Sequence, residues 1–471
     1  MVSINRIYNL SLQLLLAIFP HSTAWIYFDP VIDGVKWQYG TLLWYASEAV
    51  LAVCVMSCCL FLYTHHIRGK QIQFHWTKER LFVLSLAGFC AYLYGRSFFT
   101  LYPDIALQQS VHVLEAILFF FCILFSPVEN KALVRAVVLG AVLQAILGLS
   151  QFFLQTTWNS TLLGTSAHLA AEAGSSVVVT EGERWLRAYG TFAHPNIFGG
   201  YLALVLVLFL YSFQSPVSKQ ISNFKFQISN SVLVVVLTAG IFVSFSRSAW
   251  IALFLGVLIL SFRLKRPEGV KWRNPFLTPL SQNEVKSSIL TSKGSFAIAQ
   301  DDKDVTSYML YATCFITFTT LSILFYPLIT TRLGATSVNE QQSIHERVSG
   351  NSEAFELVQD NTMFGVGPGH YTVTLMQKDP SRPVWEYQPV HNVLLLVLAE
   401  IGIVGVLFFV FCSLLFIITF RLPFVDGLWF APFIPLLLFD HYMWSSLVGL
   451  FIVVIYAGFY MRLRKEVVKE N

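Results

Sequence analysis

Residues 202–213 read LALVLVLFLYSF, and residues 115–125 read EAILFFFCILF. A helix rises about 1.5 Å per residue, so roughly 20 such residues cross the ~30 Å hydrocarbon core of a bilayer. Runs of this kind recur along a chain of 471 residues that is 55% hydrophobic and only 12% charged, with a mean hydropathy of +0.61. Soluble domains carry about 25% charged residues. The bilayer is therefore the main solvent, where a backbone satisfies its own polar groups only as helix or closed barrel. The length of the runs selects helix.

Apolar length and turn residues place helices near 8–28, 42–64, 81–101, 108–126, 134–154, 197–213, 231–246, 248–263, 308–329, 392–420, 424–440 and 442–461. The expected fold is all-α, a polytopic membrane protein with about twelve transmembrane helices. With the N-terminus inside, 22 of the 31 lysines and arginines fall on inside segments, as the positive-inside rule requires. The organisation is then N-terminal membrane helices over 1–154, and an outer loop with central helices over 155–263. An inside insertion (264–307), a region 308–461 with a large outer loop at 330–391 containing short helices, and an inside tail (462–471) follow. Within the large loop, NEQQSIHERVSGNSEAFELVQD (339–360) has helical spacing, with Ile344, Val348, Phe355 and Leu357 available to face the membrane body. The stretch SQNEVKSSILTSKGSFAIAQDDKDV (281–305) is polar and without period.

A net charge of +4, with basic residues clustered between apolar runs, argues against nucleic acid as a partner. The seven cysteines lie within apolar runs without ligand spacing and read as small buried hydrophobes. Arg6 precedes a modest apolar stretch without a small-residue cleavage site, so an uncleaved first helix is expected. No internal repeat of the transporter kind is visible.

Three motifs bring polar chemistry to the outer face. RAYGTFAHPNIFGGY (187–201) sets Arg187 and His194 where the sixth helix starts, with Pro195 at a helix-opening position. By itself Arg187 also suits lipid phosphate, and HPN a simple cap. SFSRSAW (244–250) sets Arg247 in an otherwise apolar stretch, where a guanidinium is costly unless paired or bound to an anion. The bland alternative is an arginine snorkelling to the interface, but Ser244, Ser246, Ser248 and Ala249 favour close helix packing around it. VHNVLLLVLAEIGIVG (390–405) sets His391 and Asn392 at the start of the tenth helix. A neutral imidazole there can accept a proton, although a lone histidine at a helix start is commonly structural.

Arg347, Arg382 and the adjacent Asp440 and His441 share this face. Adjacency does not make the last two a relay, because neighbouring helical residues point about 100° apart. Arg96, Glu48 and Glu115 are costly membrane charges that fit structural pairing and a lipid-headgroup pocket equally well. FGVGPGH (364–370) lacks the GK[ST] of a phosphate loop and reads as turn chemistry. With no nucleophile elbow, HExxH or CxxC pair, neither metal nor cofactor is expected.

Taken in order, RAYGTFAHPNIFGGYLA, SFSRSAWIALFLG, the long outer loop ending in GVGPGHY, and VHNVLLLVLAEIGIVG resemble the O-antigen ligase and Wzy-type polymerase superfamily of bacterial envelope enzymes, from about residue 187 to 412. The resemblance implies a multi-pass glycosyltransferase of the bacterial inner membrane with cytoplasmic termini. Its partners would be an undecaprenyl diphosphate-linked glycan donor and a lipid, glycan or protein hydroxyl acceptor. Its reaction would be an inverting, metal-independent transfer on the extracytoplasmic face. It further implies that Arg187 and Arg247 bind the diphosphate and that His391 removes the acceptor proton. His194, Asn196, Arg347, Asn392, Asp440 and His441 are candidates for the surrounding pocket. Within the class, a ligase, a chain-extending polymerase and a protein O-oligosaccharyltransferase stay open. Outside it, a transporter or flippase would spread its charges through the bilayer depth and over both faces.

The phase of the charges makes a direct prediction. Single cysteines introduced into 155–186 or 338–390 should react with a membrane-impermeant maleimide on intact cells or spheroplasts. Cysteines introduced into 270–300 should react only after lysis, and the reverse pattern would invert the topology.

Overall fold

The computed structural model describes residues 2–32, 34–67, 76–213, 224–264, 302–334, 338–420, 422 and 424–470. Most of the expected insertion at 264–307 thus lies outside the described residues. The described chain is mostly helical, in the order α1 (Val2–Ile18), α2 (Ala46–Ile67), α3 (Trp76–Ser97), α4 (Pro103–Phe125), α5 (Asn130–Leu154), α6 (Pro195–Ser212), α7 (Phe224–Val243) and α8 (Arg247–Leu264). There follow α9 (Asp302–Leu324), α10 (Tyr326–Gly334), α11 (Val338–Asp360), α12 (Tyr371–Lys378), α13 (Val393–Thr419), α14 (Phe433–Phe439), α15 (Tyr442–Ser445) and α16 (Leu447–Glu470).

Among the described residues seven helices are long and apolar enough to cross a membrane: α2, α4, α5, α6, α9, α13 and α16. The apolar parts of α7 and α8 are shorter. Several expected helices differ in form: those over 308–329 and 442–461 are each divided in two, and two others change more. The first ends at Ile18, and Ala24–Phe28 is instead a strand paired antiparallel with Leu42–Tyr45. Pro20 cannot continue the helical ladder, and AWIYF is rich in strand-forming side chains. The stretch expected as one helix over 424–440 is a 3-10 turn, Phe424–Phe430, followed by the seven residues of α14. Gly427 and Pro432 break its period. Three more two-stranded hairpins, each a few residues long, decorate the connecting segments.

The central element is α6. Nearly every side chain from Pro195 to Tyr211 is buried, which suits a helix apolar on all sides, and α5, α7, α8 and α16 pack around it. A Cβ on Gly199 would lie 2.4 Å from Ser244 Oγ, so this glycine lets the start of α6 approach the end of α7.

The large loop folds back on α13. That helix is interrupted at Gly402 (φ 63°, ψ −176°), a region open essentially to glycine alone. Across the break, Val366 N donates to Ala399 O at 2.9 Å and Gly367 N to Glu400 O at 2.8 Å. Ile403 N and Val404 N donate to Thr362 O and Met363 O at 2.9 and 3.1 Å. Turn chemistry is thus what FGVGPGH does, at the service of a broken helix. The inward face of α11 differs from expectation: Ala354 and Leu357 are buried, whereas Ile344, Val348 and Phe355 are exposed. Glu340, Arg347 and Ala354 recur every seven residues, so the stripe that faces the body carries charge.

Gly402→Ala should destabilise the protein by about 3 kcal/mol or more, since strain in this region adds to overlap with the docked loop. The new Cβ would meet Gly365 N and Met363 O, both at 2.5 Å. Thermal unfolding of the detergent-solubilised protein measures this, and an unchanged Tm would contradict the described kink.

Candidate active site

The segment leading into α6 is held by two glutamines on α5. Gln151 Oε1 accepts from Tyr189 N and Gly190 N at 3.1 and 2.8 Å, and its Nε2 donates to Gly190 O at 2.8 Å. One heptad earlier, Gln144 Oε1 accepts from Thr191 N at 2.9 Å and its Nε2 donates to Thr191 Oγ1 at 2.8 Å. Both glutamines are buried. They supply partners to backbone that would otherwise be orphaned at the membrane edge.

Arg187 is buried, donating from Nε to Ser244 O at 2.8 Å and from Nη2 to Asn196 Oδ1 at 2.6 Å. Asn196 Nδ2 in turn donates to Asp440 Oδ1 at 2.8 Å, and Ser248 Oγ to Asp440 Oδ2 at 2.8 Å. One carboxylate thus ties the start of α6 to the start of α8, with Arg187 attached through the amide. His194 caps α6, its Nδ1 accepting from Asn196 N at 3.1 Å while Nε2 lies 3.1 Å from Ser176 Oγ.

Arg247 is the first residue of α8. Its Nη2 lies 3.4 Å from Glu340 Oε2, and its side chain stays about a quarter exposed. Glu340 also pairs with Arg332, whose Nε donates to Phe245 O at 2.8 Å. Phe245 holds φ at 48°, left-handed for a bulky residue, which turns its carbonyl toward that guanidinium. Arg347, on α11, has a buried Nε without a hydrogen-bond partner among the described residues.

His391 and His441 have ring centroids 5.2 Å apart. His441 Nδ1 is 2.7 Å from Ser445 Oγ, whereas His391 Nδ1 is buried and has no hydrogen-bond partner among the described residues. Asn392 is the cap of α13, its Oδ1 accepting from Leu394 N and Leu395 N at 3.0 and 3.2 Å. That bonding gives it a structural task.

The electrostatics tie these residues together. Burial, reinforced by Arg347, pushes His391 down to about 4, and burial beside His391 pushes His441 down to about 3. His194 is held well below the usual histidine range by burial and by the charge of Arg187. Asp440 is pushed up to about 6 by burial, opposed by bonds from Asn196 and Ser248 and by Arg347 and Arg187. Near pH 7 this leaves neutral imidazoles beside an ionised carboxylate and a group of guanidinium cations. The N-termini of α6, α8 and α13 carry His194, Arg247 and Asn392, and helix N-termini favour anions. The arrangement suits a multiply charged anion next to a proton acceptor.

Residues 232–410 match the family model described as Wzy_C, O-antigen ligase. These residues, 179 of the chain's 471, are similar to an O-antigen ligase domain. Together with the seven helices long and apolar enough to cross a membrane among the described residues, this match supports a membrane enzyme that transfers glycans in polysaccharide biosynthesis. No curated protein and no solved structure matches the chain. Arg247, Arg332, Arg347 and His391 lie within the matched ligase domain, whereas Arg187, His194, Asn196, Asp440 and His441 lie outside it.

Arg187, His194, Asn196, Arg247, Arg347, His391, Asn392, Asp440 and His441 belong to this one assembly, whereas Arg382 pairs with Glu353 and Asp379, Arg96 donates to Gly365 O at 3.0 Å, and Glu48 and Glu115 lie elsewhere, on α2 and α4. Sequence reasoning missed Arg332, Glu340, Ser176 and the two α5 glutamines. The glutamines carried a signal, being spaced by seven in an otherwise apolar helix.

Arg347→Gln removes a cation that holds down proton binding at both His391 and Asp440. The acid limb of kcat/KM, which follows the free enzyme, should therefore move to higher pH in this variant. In the parent enzyme the limb should set in near 6, where Asp440 gains its proton. An unmoved limb in the variant would refute the coupling.

Proposed function

We propose that the protein transfers a glycan from an undecaprenyl diphosphate carrier to an acceptor hydroxyl at the extracytoplasmic face of a bacterial inner membrane, as an O-antigen ligase or polymerase. The observation that carries this reading is the Arg187–Asn196–Asp440–Ser248 chain, which ties the N-termini of α6 and α8, with Arg187 and Arg247, beside the His391–His441 pair.

In the reaction, the acceptor oxygen bonds to the anomeric carbon from the side opposite the diphosphate. The carbon–oxygen bond to the diphosphate breaks with its electron pair, and the hydroxyl proton passes to His391. Guanidinium forks stabilise the charge that grows on the leaving group. Arg247 is the leading candidate for direct contact, because part of its side chain is exposed and its existing partner, Glu340, also serves Arg332. Arg187 has two of its donors engaged by Ser244 O and Asn196, so its contribution includes fixing the site's shape.

A neutral imidazole with a pKa near 4 is a weak base in the free enzyme. A bound diphosphate would neutralise nearby arginines and raise that value, so the donor itself would prepare the base.

Reconstitution with an undecaprenyl diphosphate-linked glycan and a lipid, glycan or protein acceptor, read by mass spectrometry, tests the reading. A lengthened glycan, a modified lipid or a modified protein would each select one acceptor class. His391→Ala should lower kcat by about 10²–10⁴-fold with little change in donor affinity. Arg247→Ala should lower kcat by about 10²-fold and also weaken donor binding. Normal turnover in either properly inserted variant would sink the assigned roles.

A further inference from the structure

Away from this site, the start of α2 and the middle of α4 bring three ionisable side chains together. Glu48 sits in the first turn of α2, and His112 and Glu115 are three residues apart on α4, hence on one face of that helix. One donor atom from each lies within 4.8 Å of the others, with His112 Nε2 3.9 Å from Glu48 Oε1. Sequence reading had left Glu48 and Glu115 between structural pairing and a headgroup pocket, and it passed over His112.

Three observations point to a ligand. His112 is more than nine-tenths buried, and its Nε2, aimed at Glu48, has no hydrogen-bond partner among the described residues. Glu115 Oε2 is likewise buried and without one. Glu48 Oε2 accepts from Tyr45 N, which fixes the carboxylate with its other oxygen turned to the imidazole. Among the described residues no lysine or arginine makes an ion pair with either glutamate.

Both helices are long and apolar enough to span a membrane, where two carboxylates without a counter-ion are costly. One imidazole and two carboxylates form a ligand set that balances a divalent charge. Metal–ligand bonds of about 2.1 Å put tetrahedral donors about 3.4 Å apart, so modest side-chain rotations close this cluster. A histidine and a glutamate at i, i+3 on a helix are a recurrent chelating pair in helical bundles.

We infer that Glu48, His112 and Glu115 form a binding site for a divalent transition-metal cation of the zinc class, which staples α2 to α4. The cation has a structural task. Gln109, three residues before His112, donates from Nε2 to Trp444 O at 2.6 Å, so the stapled stretch of α4 also supports the segment that carries His441. This inference is independent of the proposed transfer reaction.

The test uses the full-length protein in detergent, stripped with a chelator and desalted. On titration with Zn2+, elemental mass spectrometry should find one equivalent retained per chain, and Tm should rise by several degrees. Mg2+, a poor partner for imidazole, should do neither. Glu115→Gln and His112→Asn should each weaken Zn2+ retention at least tenfold. Equal retention in parent and variants, or no zinc-dependent change in the parent's Tm, would overturn the site and leave a carboxyl pair sharing a proton. Because the Tm comparison needs only the parent chain, it decides the matter even where a variant does not fold.

Discussion

A single buried carboxylate, Asp440, sets the geometry of the candidate active site. Its two oxygens are shared between the Asn196 amide and the Ser248 hydroxyl, so the starts of α6 and α8 are held in register by one side chain from the C-terminal part of the sequence. Burying a charge is costly unless hydrogen bonds and nearby cations compensate it, and this one has both. Everything attached to those two helix starts, Arg187 through Asn196 and Arg247 through α8, takes its place from that bond pair. The histidine pair is fixed next to it because His441 follows Asp440 directly in the chain.

A second constraint comes from the bilayer. Backbone that leaves a helix at membrane depth must find partners within the protein. The protein answers twice with the same logic: Gln144 and Gln151 satisfy the non-helical segment before α6, and the 361–367 loop satisfies the break in α13. The first of these segments leads directly into His194 and Asn196 of the candidate active site.

Much of this was legible in the sequence, for physical reasons. Long apolar runs reflect the cost of moving polar groups through hydrocarbon, so they report helices directly, while the segregation of Lys and Arg gives an expectation of sides. Arg187 and Arg247 stood out because charge near hydrocarbon is costly enough to demand an explanation, and His391 because a neutral imidazole at that helix start can accept a proton. What stayed hidden depends on tertiary contact. Nothing local separates Glu340, which pairs Arg332 and Arg247, from the other polar residues of α11. The inward face of that helix was misread because its apolar residues, Ile344, Val348 and Phe355, were given priority over a stripe of Glu340, Arg347 and Ala354. His112 was overlooked because its partners lie on another helix.

The distribution of supporting residues along the chain bears on how such a site can be inherited. The matched O-antigen ligase domain, 232–410, contributes Arg247, Arg332, Arg347 and His391. Gln144, Gln151, Asn196 and Asp440, which fix the segment before α6 and tie its start to Ser248 beside Arg247, all lie outside it. The domain is therefore not a portable cassette. A chimera that exchanged only 232–410 would bring a new set of cations to an old set of struts, and the two halves of the recess must change together through evolution.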